Sequence, residues 1–123
     1  MSMCRTTAII KCQQPKIIAE FSKDFGNYYF SLIPKYYYAN RQKYNTHVTI
    51  VRGFEKPKIW KDFLDINGTT IDIFYSPIIL YIEPYFFMNC WSKQIINIRR
   101  ELGLSKYRFN KQQSYHISIG NTK

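Results

Sequence analysis

The sequence predicts an α+β fold, with two similar sheet-plus-helix lobes forming a central groove, in a single domain spanning residues 1–123. Three observations carry that expectation. The strand and helix signals run strand, helix, strands and then strands, helix, strand, as two α+β units in succession. Each unit finishes near a strand of the same grammar, a histidine, a β-branched residue, a hydroxyl residue and an isoleucine: "HVTI" at 47–50 and "HISI" at 116–119. A chain of 123 residues suits one domain with one buried core.

"TTAIIKC", 6–12, reads as the first strand. "PKIIAEFSKDFG", 15–26, spaces Ile17, Ile18, Phe21 and Phe25 at helical intervals between Pro15 and Gly26, which predicts the first helix. "NYYFSLI", 27–33, reads as a strand stopped by Pro34, and "HVTIVRGF", 47–54, as a strong strand. "PKIWKDFL", 57–64, has room for one or two helical turns, and Asn67-Gly68 between β-forming flanks signals a hairpin. "IILYIEPYFFMNCW", 78–91, is strand-rich, with Pro84 at a break or an edge position and Trp91 as a core anchor. The clearest helix is 92–103: Ser92 caps its start, Ile95, Ile96 and Leu102 form its buried face, and Gly103 ends it. After a basic loop, "YHISIG" is the terminal strand.

The composition narrows the function classes. A 46% hydrophobic and 18% aromatic content argues for a packed globule over a disordered tail. The wealth of Ile, Lys, Asn and Tyr is that of an AT-rich genome, which many viruses have. Eighteen Lys and Arg against eight Asp and Glu give a net charge of +10, which favours polyanionic partners. Cys4, Cys12 and Cys90 lack metal-site spacing, an odd number of reduced thiols expected of a cytoplasmic protein. No signal peptide is visible, and no apolar run approaches the ~20 residues of a membrane-spanning helix. No membrane association is therefore expected, and no obligate protein partner is evident. "NGT" at 67–69 matches a glycosylation acceptor but reads as a turn in a cytosolic chain.

The two histidines carry the chemistry. Residues i and i+2 of a strand share a face, so His47 points with Thr49 and His116 with Ser118, while Val48 and Ile117 face the core. About one residue in eight is Ser or Thr, so both histidines having one at i+2 is roughly a one-in-sixty coincidence. Phosphodiester cleavage needs a proton taken from the nucleophile and one given to the leaving oxygen, and imidazole does either near neutral pH. The hydroxyls can donate to the non-bridging oxygens as charge builds there. No metal or cofactor is required. A zinc site of Cys90, His47 and His116 is an alternative, but it leaves the matched hydroxyls without a purpose.

The pair "HVT" and "HIS", about seventy positions apart in a small basic chain, resembles the 2H phosphoesterase superfamily, whose signature is two His-x-Thr/Ser motifs. The ending "HISIGN", 116–121, is similar to that of phage and viral members, including anti-CBASS phosphodiesterases that destroy cyclic-nucleotide immune messengers. The resemblance implies a LigT-like two-lobed fold, a catalytic pair His47 and His116, and phosphate-contacting hydroxyls Thr49 and Ser118. It also implies a metal-independent hydrolase of cyclic dinucleotides or oligonucleotides such as 2′,3′-cGAMP, acting in immune evasion in the host cytosol. An RNA phosphodiesterase for 2′,3′-cyclic ends or 2′,5′ linkages, and a non-catalytic single-strand binder, are the competing readings. Phage relatives continue past the second motif with a pocket-forming segment. Here only Asn121, Thr122 and Lys123 follow Gly120, so a differently closed or more open pocket is expected.

For binding, the stretch before His47 joins aromatic faces to positive charge: Tyr36, Tyr38, Arg41, Lys43 and Tyr44 are the expected substrate contacts, with Lys35 and Tyr37 beside them. Arg52 is five residues from His47, so strand parity puts it on the opposite face unless the strand bulges.

Overall fold

A computed structural model describes residues 3–13, 15–53, 55, 65–105 and 114–123. Among these residues, eight strands and two α-helices follow in the order β1 (Cys4–Gln13), β2 (Lys16–Glu20), α1 (Lys23–Ser31), β3 (Asn40–Arg41), β4 (His47–Val51), β5 (Thr70–Tyr75), β6 (Leu80–Ile82), β7 (Tyr85–Trp91), α2 (Lys93–Glu101) and β8 (Tyr115–Asn121). All pairings are antiparallel.

The two-lobed α+β expectation is overturned. The strands join in the ring β8–β4–β2–β1–β5–β7, and β7 pairs with β8 again, which closes a six-stranded antiparallel barrel. Strands of the two sequence halves pair with each other three times, β1 with β5, and β4 and β3 with β8. Backbone hydrogen bonds therefore run across the boundary that was to have been a groove. Closure satisfies the edges that two separate sheets would expose. β3 adds to β8 beyond the end of β4, and β6 adds to β7.

The interior is filled by alternate residues: Ala8 and Ile10, Ile17 and Ala19, Val48 and Ile50, Ile71 and Ile73, Met88 and Cys90, Ile117 and Ile119. Tyr29 of α1 and Ile95 and Ile98 of α2 join the same buried cluster. Phe25 stacks on Phe21, and the Tyr29 hydroxyl meets that of Tyr75 at 2.7 Å. Burial and that neighbouring hydroxyl push the Tyr75 phenol well above its ordinary pKa.

Local expectations fare unevenly. The first helix and the strand beside it are interchanged: residues 16–20 form β2, and residues 23–31 form α1. Ser22 decides the start, since its hydroxyl accepts from the Phe25 amide at 3.2 Å. Gly26 lies inside the helix rather than at its end, because a Cβ there would overlap the Thr46 hydroxyl. Close approach to the residue before His47 outweighs the roughly 1 kcal/mol that glycine costs in a helix. Asn67-Gly68 does form a turn, with Gly68 at φ 85° and its amide bonded to the Ile10 carbonyl at 2.7 Å. It leads into β5, which pairs with β1 and β7 instead of making a hairpin with its predecessor. α2 starts on Ser92 as expected, and Gly103, at φ 75°, follows its end. The stretch 57–64 lies outside the described residues.

Candidate active site

Val48 and Ile117 are paired in the β4–β8 ladder, and both are buried in the core. Side chains on either side of each must then point to the opposite, outer face. Continuing that register by one residue each way sets His47 opposite Ser118 and Thr49 opposite His116. The two imidazoles lie on one diagonal of this patch and the two hydroxyls on the other. Diagonal neighbours on paired strands are about 7–8 Å apart, a span that admits a phosphate between the ring nitrogens.

These four residues line one cavity of about 550 Å³, together with Arg52, Ile82, Glu83, Tyr85 and Phe87. That volume falls within the roughly 300–1,000 Å³ of small-molecule sites. β7 supplies one wall: Phe87 is the ladder partner of Ser118, and its ring lies 4.5 Å from that of His116, tilted by 36°. The His47 Nδ1 lies 2.8 Å from the Asn45 carbonyl oxygen. A carbonyl only accepts, so Nδ1 carries the proton, and Nε2 of neutral His47 is left with the lone pair. The Asn45 side-chain amide donates in turn to Glu20, the ladder partner of His47. The Lys11 ammonium, donating to Glu20 at 2.8 Å, holds its carboxyl below the ordinary range, with Asn45 and His47 adding to the effect.

Arg52 reaches this face through a bulge. Ile18 pairs with Thr49 but Ile17 with Val51, so Ile50 is an extra residue that reverses the parity of β4. The Ile50 carbonyl accepts instead from Arg99 Nη1 at 2.6 Å. Arg99 is 0% exposed and also grips Glu55 through Nη1 and Nη2, at 3.0 and 2.6 Å, and the Ser105 carbonyl through Nε at 2.7 Å. Glu55 accepts from the Arg52 backbone amide at 2.9 Å, which fixes the turn that presents Arg52. Strand parity alone put Arg52 on the wrong side.

Gly120, which ends the second motif, packs too tightly for a side chain. A Cβ there would lie 3.0 Å from the Asn40 carbonyl, 3.1 Å from the Phe30 ring and 3.2 Å from Ile33. It seats β8 against β3 and α1.

The expected binding residues are elsewhere. None of Tyr36, Tyr38, Arg41, Lys43 and Tyr44 lines the histidine cavity. Tyr36, Tyr38 and Tyr44 are 73%, 86% and 67% exposed. Arg41 donates to Asn27 Oδ1 at 2.6 Å and lies over the Phe30 ring, while Lys43 lies by the ring of Tyr44. Tyr37 packs inward on Tyr81 and Phe86. Sequence reasoning missed Ile82, Glu83, Tyr85 and Phe87. The alternation of Tyr85 with Phe87 was visible, but their partnership with β8 was not.

The zinc alternative does not assemble. Cys90 is buried on the interior side of β7, away from the outer face that holds both histidines. Among the described residues, no group of three or more His, Cys, Asp or Glu side chains gathers into a metal site. Nor is any helix among them long and apolar enough to cross a membrane. In comparisons with protein-family models, curated proteins and solved structures, nothing matches this chain.

Proposed function

We propose that this protein is a metal-independent phosphodiesterase that cleaves by paired-histidine acid-base catalysis. The observation that carries this reading is the joint presence of His47, Thr49, His116 and Ser118 on one cavity wall, with Arg52 beside them. His47 Nε2 takes the proton of a ribose 2′-hydroxyl, whose oxygen attacks the adjacent phosphorus. His116, as the imidazolium, gives a proton to the departing 5′-oxygen, which leaves a 2′,3′-cyclic phosphate. Thr49, Ser118 and Arg52 stabilise the charge on the non-bridging oxygens. The bond from His47 Nδ1 to the Asn45 carbonyl supports the assignment of His47 as base.

Cyclic dinucleotides or cyclic oligonucleotides, the messengers of antiviral signalling, are the proposed substrates, cleaved in the cytosol of a host cell. The likeness of "HVT" and "HISIGN" to 2H phosphoesterases supports this through the motifs alone, since the barrel is not two-lobed. Incubation in EDTA with cyclic dinucleotides, cyclic oligonucleotides, 2′,5′-oligoadenylate and RNA bearing 2′,3′-cyclic ends tests the reading. Cleavage that depends on both histidines is expected. Turnover only of RNA ends would move the assignment to RNA processing, and cleavage lost on chelation and restored by a divalent ion would refute the mechanism.

A further inference from the structure

The cavity wall holds one carboxylate, which the reaction above leaves unused. Glu83 is one of only eight acidic residues in a chain of net charge +10, yet it sits on the wall of a cavity that would take a phosphodiester. A carboxylate only accepts hydrogen bonds, and it repels phosphate. Its neighbours on the wall are Ile82 and Tyr85, both substantially exposed, with the Lys123 ammonium over one face of the Tyr85 ring at 4.8 Å from its centre. A group that lies against all three is best matched when its faces are flat and apolar and its edge carries hydrogen-bond donors.

Among the nucleobases, adenine, cytosine and uracil each present a single N–H donor group on the Watson–Crick edge. Guanine presents two side by side, N1–H and the 2-amino group, which match the two oxygens of a carboxylate. We infer that Glu83 reads guanine at the rim of this cavity, with the base lying against Tyr85 and Ile82. The nucleotide's phosphate then extends toward Arg52 and the two histidines. Ribose hydroxyls could also donate to Glu83, but a sugar has no flat apolar face for Tyr85. The inference rests on the phosphodiesterase reading for the direction of the phosphate, though not for the recognition of the base.

The test compares cyclic di-GMP, cyclic di-IMP and cyclic di-AMP in single-turnover cleavage and in equilibrium binding, with the parental protein and with Glu83→Gln. Inosine keeps N1–H and lacks the 2-amino group. The expected order is guanine, inosine, adenine, spanning roughly ten- to hundredfold, as for other bidentate base contacts. Glu83→Gln presents an N–H group to guanine and should bring the guanine-to-adenine ratio to within about twofold of one. Equal treatment of the three ligands by the parental protein overturns the inference and leaves the phosphodiesterase standing. An unchanged ratio in folded Glu83→Gln overturns it as well. If none is cleaved but guanine still binds preferentially through Glu83, the base assignment holds and the catalytic reading falls.

Discussion

The β4–β8 seam and the segment 35–44 have the same ingredients, polar groups and aromatic rings, but differ in what holds them. Along the seam, His47, Thr49, His116 and Ser118 have directions set by a backbone ladder whose alternate residues are locked in the core. Slipping that register by one residue would bury the polar set and expose Val48 and Ile117. The segment 35–44 has a short 3-10 turn at Lys35–Tyr37, a two-residue strand and three tyrosines, Tyr36, Tyr38 and Tyr44, that are mostly exposed. Catalysis needs groups held to within a fraction of an ångström, and only the seam meets that need. A basic, aromatic composition marks a surface that can attract a polyanion. It does not mark where the bond breaks.

The largest expected effect breaks the seam's chemistry. His47→Ala and His116→Ala should each lower single-turnover cleavage by about 10²–10⁴-fold while leaving equilibrium binding largely intact. A folded histidine variant that cleaves at the parental rate would remove the paired-histidine mechanism. Next comes the support of β4. Arg99→Met leaves the Glu55 carboxylate without its main partner, and losing one member of such a buried pair costs about 3–5 kcal/mol. Urea denaturation should show a loss of that order, and Arg99→Met with Glu55→Gln should recover part of it. Additive losses would mean that the pair is not coupled.

Smaller effects sharpen the comparison. Thr49→Val and Ser118→Ala should slow turnover by roughly 10²-fold or less, below the histidine variants, because each removes one donor to the phosphate. Gly120→Ala should destabilise by about 1–3 kcal/mol, since the added methyl meets the Asn40 backbone and cannot be accommodated by a rotamer change. Circular dichroism melts would register that, and an unchanged midpoint would show that β3 can move aside. In the segment, Tyr36→Ala and Tyr38→Ala should leave cleavage of a cyclic dinucleotide within about twofold of the parent. Binding of a longer single strand should weaken severalfold, roughly one exposed stacking contact each. A large loss of dinucleotide cleavage would instead bring the tyrosines into the site.

Short-range chemistry was readable from the chain alone. Ser92 and Gly103 bound α2, and the β-branched runs around both histidines are strands, because capping and side-chain branching act within a few residues. The alternation of Val48 and Ile117 with polar neighbours told which residues would share a face. Three things depended on partners far away in sequence. The exchange of strand and helix over 16–31 turns on the pairing of residues 16–20 with β4 and on the fit of Gly26 against Thr46. The face of Arg52 turns on a bulge whose extra carbonyl is taken up by Arg99, forty-nine residues on. The closed barrel, which replaces two lobes, turns on β7 and β8 finding each other's edges. Periodicity fixes which way a side chain points from its own strand. Which strands lie side by side depends on ladder bonds between distant segments, and that choice brought Glu83, Tyr85 and Phe87 beside the histidines.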